Sequence, residues 1–326
     1  MNHPNGTKPP VLLLTRRFPD AVMTRAARDY RIIANDDDHP YTPKEIADRA
    51  AGADALLVSA VDRIPADLIR ALPDSVRMIA TFSVGTDHID LAAAKERGIA
   101  VSNTPGVLTD ATADIAFLLL LGAARRASEG ERLIREGRWE GWGPTQLVGI
   151  HVTGKRLAIL GMGRIGQAMA RRARGFDMEI HYHNRRRLPA DEEMGAVYHA
   201  DADDLLSVAD FLSIHSPASP ETHHWLNAER IARLPDRAVI INTARGSVVD
   251  DEALIAALRS GKLAAAGLDV FENEPKLHPG YAALPNTFLL PHLGSATDKT
   301  RDAMGFTALN NLDAFFAGKD LPNRVI

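Results

Sequence analysis

Residues 156–173 read RLAILGMGRIGQAMARRA, an apolar segment of strand length, then a glycine-rich turn, then a helical pattern. Gly161, Gly163 and Gly166 have the G-x-G-x-x-G spacing that is typical of dinucleotide-binding sites when it joins a strand to a helix. The alternative is a glycine-rich turn with no ligand, but the flanking strand and helix favour a cofactor site at the helix N-terminus. The predicted cofactor loop consists of Gly161, Met162, Gly163, Arg164, Ile165 and Gly166.

Buried strand patterns continue along the chain from this loop. The segments MEIHYHN, FLSIHSP, AVIINTA, AAAGLDV and TFLLPH follow RLAIL in order, with helical patterns between most of them. Shorter strand patterns at 11–14, 55–59, 78–81 and 99–102 alternate with helical patterns in the first hundred residues. Because strands that alternate with helices form parallel sheets covered on both faces, we predict an α/β fold with two Rossmann-like, doubly wound parallel-sheet domains.

Three further segments link or extend these series. A long helix is expected over residues 109–126, and the stretch 138–149, with Trp139 and Trp142, is expected to leave the core. Residues 296–318 read as a helix that could return to the first domain.

The composition narrows the class of protein. The chain has 326 residues, 45% of them hydrophobic, a formal net charge of -4 and a pI of about 6.3, a balance that argues against a nucleic-acid partner. The absence of cysteine excludes disulfides and thiolate chemistry and fits a reducing compartment. No signal-peptide pattern and no apolar run of roughly 18 residues is present, so a cytoplasmic protein without a membrane partner is expected.

The residues after the second strand of the nucleotide-binding series indicate the type of cofactor. An NAD-binding protein usually carries an acidic residue there for the ribose hydroxyl, whereas this chain has Asn184, Arg185, Arg186 and Arg187. Guanidinium groups bind a 2′-phosphate that a carboxylate would repel, so NADP(H) is favoured and NAD(H) remains possible. A solvated basic loop is the alternative.

Several longer blocks resemble one enzyme family. GMGRIG, HSPASPET, INTARGSVVDDEAL, AAAGLDVFENEP and PHLGSAT occur in the order and at the spacing of the D-isomer-specific 2-hydroxyacid dehydrogenases, and SVGTDHIDL and NTPGVLTDATAD extend the resemblance into the first half. Within that family the chain looks most like the glyoxylate/hydroxypyruvate reductases. The resemblance implies hydride transfer between a nicotinamide cofactor and a small 2-oxo acid.

The resemblance also implies three catalytic residues, Arg245, Glu274 and His292. Histidine titrates near neutral pH and can protonate a carbonyl oxygen, a glutamate can orient its ring, and an arginine can bind the substrate carboxylate. Each follows a predicted strand, so all three are expected at the carboxyl ends of sheet strands, where open α/β sheets bind ligands. Their alternatives are a packing histidine, a structural arginine and a loop carboxylate.

Binding roles follow from the same resemblance. Val84 and Gly85 would bind the substrate carboxylate through backbone N–H groups, and Asp269 would hold the nicotinamide carboxamide unless it is a helix cap. The remaining expected cofactor contacts, besides the glycine loop and residues 184–186, are Thr112, Ser216, Pro217, Thr243, Ala244 and His292.

The family fold would place the active site in a cleft between two domains. Residues 1–103 and 294–326 are then the flavodoxin-like substrate domain, and residues 104–293 the NAD(P)-binding Rossmann domain. The family resemblance also implies a homodimer that forms through the cofactor domain, with Trp139 or Trp142 against the partner.

Other functions and sites stay open. A D-lactate, phosphoglycerate, formate or phosphite dehydrogenase would share most motifs, and a dinucleotide-sensing corepressor could retain the same three residues. No metal site is expected: the run Asp36–His39 lacks the glycine and spacing of a calcium loop and reads as a solvated turn. His181, His183, His215, His223 and His224 are expected to be structural, without a paired acid at a strand end.

Overall fold

The computed structural model describes residues 8–326. The chain divides into two compact units. The first unit extends to Leu108 and resumes at Ala296–Ile326, and the second unit is Thr109–Ser295. These divisions lie a few residues beyond the positions expected from the sequence; the assignment of a substrate role and a cofactor role to the units remains a prediction.

The first unit is a five-stranded parallel sheet between helices. Its strand order, β2-β1-β3-β4-β5, is the flavodoxin-like order. The strands are β1 (Val11–Leu14), β2 (Arg31–Ile33), β3 (Ala55–Ser59), β4 (Met78–Phe82) and β5 (Ala100–Ser102). The helices are α1 (Asp20–Asp29), α2 (Pro43–Arg49), α3 (Ala66–Ala71), α4 (Leu91–Glu96) and the C-terminal α13 (Asp298–Phe316).

Burial explains why this sheet has continuous apolar strands. Two separate apolar clusters cover its faces, and α13 contributes Leu309 and Leu312 to the one that also contains Val22 of α1. Helix α13 thus packs in the first unit, as the sequence suggested. The sheet has no polar face because helices exclude water from both sides.

The second unit is a seven-stranded parallel sheet. Its strands are β6 (Arg156–Leu160), β7 (Glu179–His183), β8 (Val197–Tyr198), β9 (Phe211–Ile214), β10 (Ala238–Asn242), β11 (Leu263–Leu268) and β12 (Thr287–Leu289). The strands lie in the order β12-β11-β10-β9-β6-β7-β8 and are all parallel. From β6 the chain first adds β7 and β8 on one side and then returns to add β9 to β12 on the other side, which is the Rossmann arrangement. The predicted fold class of two doubly wound α/β domains is confirmed.

The second unit contains eight helices among its described residues. They are α5 (Thr109–Ala124), α6 (Ala127–Arg135), α7 (Arg164–Arg174), α8 (Ala190–Glu193), α9 (Ala202–Ser207), α10 (Ala228–Arg233), α11 (Asp251–Ser260) and α12 (Pro279–Ala282), with a 3-10 turn at Gly246–Val248. The long helix α5 packs against α7 and against the strands β10 and β11, and the residues that it buries there are almost all apolar. Among the described residues, no helix is long and apolar enough to cross a membrane.

The segment after α6 leaves the core, as predicted. The side chains of Trp139 and Trp142 are 54% and 83% exposed in the single chain. Three elements were not predicted: the edge strands β2 and β8, which have three and two residues, and the helix α6, which buries no side chain. Elements at a sheet edge or on the surface carry little hydrophobic periodicity, so the sequence gives no clear sign of them.

Candidate active site

The predicted catalytic side chains follow three neighbouring strands. Arg245 comes after β10, Glu274 after β11 and His292 after β12, and these strands are adjacent in the order β12-β11-β10. The carboxyl ends of parallel strands share one edge of the sheet. The fold of the second unit therefore brings the three residues to one place.

Glu274 and His292 form a direct side-chain pair. His292 Nδ1 lies 2.7 Å from Glu274 Oε2, while Glu274 Oε1 accepts the backbone N–H of Phe271 at 2.8 Å. Burial of Glu274 raises the pKa of its carboxyl, but the hydrogen bond and charge of His292, the Phe271 N–H and the charge of Arg245 together lower that pKa below its usual value. Glu274 is therefore an ionised partner that can stabilise an imidazolium.

The loop that carries His292 is held by Asp269. The His292 N–H donates to the Asp269 carbonyl at 2.9 Å, and the N–H groups of Leu293 and Gly294 donate to its carboxylate oxygens at 2.6 and 2.8 Å. His292 has a φ of 56°, in the left-handed region that costs free energy for a residue with a side chain. Asp269 thus stabilises a strained backbone that presents the imidazole.

This geometry bears on the expected roles of Asp269. The next helix, α12, begins ten residues later at Pro279, so the helix-cap alternative is wrong. Burial raises the pKa of the Asp269 carboxyl, and the two N–H donors oppose this rise. Each oxygen of a carboxylate can accept more than one hydrogen bond, so the predicted contact with a carboxamide is compatible with the loop contacts and stays a prediction.

Asn242, at the end of β10, holds the backbone of Ala244 and Arg245 in place. Its Nδ2 donates to the Arg245 carbonyl and its Oδ1 accepts the Ala244 N–H, both at 2.9 Å. The Arg245 Nη1 donates to the Ala244 carbonyl at 2.8 Å. The roles of Asn242 and Asp269 in positioning the predicted catalytic residues were not predicted from the sequence. A buried polar residue at the end of an apolar strand is the signal that could have identified both.

The glycine loop fits a dinucleotide. Gly161 has a φ of 95°, and a Cβ there would lie 2.8 Å from the backbone carbon of His215. A Cβ on Gly166 would lie 2.4 Å from the Gly161 oxygen, so helix α7 could not start so close to the loop with a larger residue. A Cβ on Gly163, by contrast, would have no described atom within 4 Å, which leaves space for a pyrophosphate.

Two buried hydroxyl groups mark further contacts for the cofactor. Ser216 Oγ and Thr243 Oγ1 are buried and have no hydrogen-bond partner among residues 8–326. They follow β9 and β10, on the side of the sheet where Rossmann proteins bind their ligand. Buried hydroxyls without a partner are costly, so both are suited to a polar ligand. Pro217 is exposed next to Ser216, and Thr112 is buried near Gly294.

The basic loop after β7 contains two kinds of arginine. Arg187 binds Glu193 through two nitrogens at 2.7 and 3.0 Å, and the hydrogen bonds from Arg187 and Tyr182 lower the pKa of Glu193 to about 2. Arg185 and Arg186 are exposed and form no hydrogen bond or ion pair with any described residue. Arg187 is therefore structural, and the other two guanidinium groups can bind an anion.

Asn184 ties this loop to the glycine loop. Its Oδ1 accepts the Met162 N–H at 2.6 Å. The Asn184 amide thus lies at the end of β7, where NAD-binding proteins have a carboxylate. Because the Met162 N–H donates to this amide, it is not available to a ligand. Arg164 begins helix α7, whose N-terminus is left to bind phosphate.

Val84 and Gly85 belong to the first unit, directly after β4. Their carbonyls accept hydrogen bonds from the Asn103 side chain at 2.8 Å and from Ser83 Oγ at 2.6 Å. Their N–H groups donate to no described residue. The carbonyl groups of Val84 and Gly85 thus fix the turn, and their N–H groups remain available to a ligand.

One expectation about the other histidines was wrong. His224 Nε2 lies 3.1 and 3.2 Å from the carboxylate oxygens of Glu272, and His223 Nε2 lies 3.6 Å from one of them, so both histidines have a paired acid. The run Asp36–His39, by contrast, forms ordinary surface pairs: Arg16 binds Asp38 at 2.8 Å and His39 binds Asp37 at the same distance.

The family model of the D-isomer specific 2-hydroxyacid dehydrogenase NAD-binding domain matches residues 117–294. The chain belongs to this family. The match includes the glycine loop and all three strand ends, and the resemblance noted in the sequence is confirmed.

Relatives match this dehydrogenase over nearly their whole length. A glycerate dehydrogenase of Hyphomicrobium methylovorum is 46% identical, covering 95% of this chain and 97% of its own. A glyoxylate reductase of Thermococcus litoralis is 42% identical, covering 97% and 96%. The crystal structure of an NADPH-dependent glyoxylate/hydroxypyruvate reductase of Sinorhizobium meliloti, with NADP and malonate, has a TM-score of 0.89, 34% identity and coverage of 98% and 97%. The protein is an NAD(P)-dependent dehydrogenase that interconverts 2-oxo and 2-hydroxy acids.

Proposed function

We propose that this dehydrogenase reduces glyoxylate or hydroxypyruvate to the corresponding 2-hydroxy acid, with NADPH as its preferred cofactor. The observation that carries the proposal is the His292–Glu274 pair, 2.7 Å apart and beside Arg245 at the ends of neighbouring strands. An acid, a carboxylate that orients it and a cation for an anionic substrate are the groups that carbonyl reduction needs.

When bound, the reduced nicotinamide supplies a hydride to the carbonyl carbon. His292 donates the proton that the carbonyl oxygen requires, and Nε2 is the donor because Nδ1 is held by Glu274. Glu274 stays ionised and fixes the ring orientation. Arg245 binds the substrate carboxylate and polarises the carbonyl.

The preference for NADPH rests on the loop after β7. Arg185 and Arg186 are exposed and have no internal ion pair in the described chain, and no carboxylate follows the strand to repel a 2′-phosphate. The relative from Sinorhizobium meliloti is described as NADPH-dependent, which supports the same choice here.

The substrate class rests on the named relatives. Glyoxylate reductase and glycerate dehydrogenase are the names of the two sequence relatives, and glycerate is the 2-hydroxy acid formed when hydroxypyruvate is reduced. Both substrates are small 2-oxo acids with a carboxylate for Arg245. One active site can therefore serve both reactions.

The test is oxidation of NADPH and NADH, followed at 340 nm, with glyoxylate, hydroxypyruvate, pyruvate and phenylpyruvate. We expect the highest kcat/KM with NADPH and one of the first two acids. Faster turnover of pyruvate or phenylpyruvate would show that the enzyme acts on another class of 2-oxo acid. Equal kcat/KM for both cofactors would contradict the proposed preference for NADPH. Cofactor binding without turnover of any 2-oxo acid would instead favour the dinucleotide-sensing alternative.

A further inference from the structure

A cluster of two histidines and a glutamate lies beside the proposed catalytic residues and outside the set assigned to substrate or cofactor. His223 and His224 lie in the chain segment that joins β9 to β10, and Glu272 lies in the loop after β11. The Nε2 atoms of both imidazoles face the same carboxylate, His224 at 3.1 Å from Oε2 and His223 at 3.6 Å from Oε1. The two rings stack with their centres 4.0 Å apart.

The two nitrogen–oxygen distances are close to those around a small metal ion. Nitrogen and oxygen atoms at tetrahedral positions around Zn²⁺, each about 2.0–2.1 Å from the ion, lie roughly 3.3 Å from each other. The separations of 3.1 and 3.6 Å bracket that value, and the candidate ligand atoms all lie within 4.8 Å of one another. The backbone thus already places one candidate ligand atom from each of the three side chains near a common point.

The backbone around the cluster is fixed on both sides. The His223 N–H donates to the Ser219 carbonyl at 3.0 Å and the His224 N–H to the Ser247 carbonyl at 2.8 Å. Next to Glu272, Gly246 packs so tightly that a Cβ there would lie 2.1 Å from the Glu272 nitrogen. Because neither loop can shift easily, the three side chains start close to a ligating geometry.

The cluster is also open to solvent. The His223 side chain is 56% exposed and that of Glu272 27% exposed. A metal ion can therefore enter, and water can occupy the fourth position of a tetrahedral site. Imidazole nitrogens with one carboxylate oxygen suit zinc and similar divalent transition metals and not calcium or magnesium, which prefer oxygen ligands.

We propose that His223, His224 and Glu272 form a binding site for one divalent transition-metal ion, with Zn²⁺ as the best match. The bound ion joins the loop after β9 to the turn that also carries Glu274. This departs from the sequence-based expectation of no metal site. Glu272 is 48 residues from His224 in sequence, so only the fold shows that they meet.

The competing interpretation is an ordinary ion pair between His224 and Glu272 that needs no metal. The chain contains a matched case: His39 lies 2.8 Å from Asp37 and 3.4 Å from Glu45, with one imidazole against two carboxylates. His39→Asn therefore controls for binding by any exposed histidine–carboxylate pair.

The experiment uses the full chain without an affinity tag, stripped of metal by a chelator and then dialysed. Zn²⁺ is titrated by calorimetry, and Co²⁺ by the visible absorption that reports its ligand geometry. We expect one ion per chain for the wild type and for His39→Asn. His224→Ala and Glu272→Gln should each lose at least about 10-fold in affinity, because removal of even an outer partner of a metal site costs that much.

A thermal measurement keeps the test independent of folding defects in any variant. Each variant is compared with itself, with and without Zn²⁺, and the ion should raise Tm in the wild type and His39→Asn but not in Glu272→Gln. Equal zinc affinity in all variants, or no stoichiometric binding by the wild type at micromolar zinc, would overturn the proposal. NADPH oxidation by the metal-free protein tests the proposed function separately, so failure of one leaves the other standing.

Discussion

Glu274 affects both the geometry and the electrostatics of the site. It accepts hydrogen bonds from the Phe271 backbone and the His292 ring, and its carboxyl has a lowered pKa although it is partly buried. A carboxylate held in this way does two things at once: it selects which imidazole nitrogen faces the ligand, and it stabilises the protonated ring.

Glu274→Gln should keep the hydrogen bond but remove the charge. We expect kcat for reduction to fall, because the neutral amide no longer stabilises positive charge on the ring that donates the proton. Steady-state kinetics at saturating cofactor and substrate measure this. A variant with the wild-type kcat would show that Glu274 only orients the ring.

The same substitution should change stability against pH. Folding lowers the pKa of Glu274, so the ionised carboxylate stabilises the fold above the ordinary glutamate pKa of about 4.3, and that contribution is lost as the pH falls through the folded value. Urea unfolding at a series of pH values should therefore show a smaller loss of stability below pH 5 for Glu274→Gln than for the wild type. An identical loss would mean that the pair is not formed in solution.

His292→Ala removes the proposed proton donor. We expect kcat to fall by about 10² to 10⁴, the usual contribution of a general acid, while the Kd for NADPH measured by fluorescence stays close to the wild-type value. His39→Ala, at a surface ion pair in the first unit, is the control and should leave both quantities unchanged. Wild-type turnover by His292→Ala would exclude His292 as the acid.

At the scale of elements, the loop after β7 divides its arginines between fold and ligand. Arg187 belongs to the fold, because it pairs with Glu193, which also accepts the Tyr182 hydroxyl. Arg185 and Arg186 contribute nothing of this kind within the described chain. The sequence does not distinguish the structural arginine from the two that can bind a ligand, because all three carry the same charge at adjacent positions.

Arg185→Ala with Arg186→Ala should weaken NADPH binding far more than NADH binding. A hydrogen bond to a charged group contributes ~1.5–3 kcal/mol, so a loss of about 10-fold or more per arginine is expected for NADPH. Kd values for both cofactors test this, with Arg187→Ala as the matched control. That control should lower Tm and leave the ratio of the two Kd values unchanged. Equal losses for NADPH and NADH in the double variant would show that the two arginines only solvate the loop.

At the scale of the whole molecule, the second unit exposes several large apolar side chains within residues 134–148. Trp139 and Trp142 are more than half exposed, and Ile134 and Val148 near them are also exposed. Large apolar side chains grouped on a surface often mark an interface with another protein. This grouping supports the expectation of a homodimer that forms through this unit.

Trp139→Ser with Trp142→Ser should therefore yield a monomer, whereas the wild-type chain should sediment as a dimer. Sedimentation velocity at micromolar concentrations measures both states. Val61 in the first unit is similarly exposed, at 59%, and Val61→Ser should leave the dimer intact. A wild-type monomer, or a double variant that remains dimeric, would contradict this interface.

Much of the fold is predictable because its signals are local. A strand such as RLAIL, the glycines that follow it and the helix after them lie within 18 residues, and their apolar spacing reflects burial that every parallel sheet imposes. The strand ends that carry Arg245, Glu274 and His292 follow from the same pattern. The short edge strands and helix α6 were missed because they bury too little to leave a pattern.

The sequence by itself thus determined the fold class, the family, the cofactor loop and the three residues at the strand ends. Only the tertiary structure decided which polar groups meet: Asp269 with the loop of His292, Asn184 with Met162, and Glu272 with His224. These partners are up to 48 residues apart along the chain, and their contacts depend on strand order and loop geometry. Hydrophobic patterning specifies which side chains are buried, but it carries no information about which buried or half-buried polar atoms face each other.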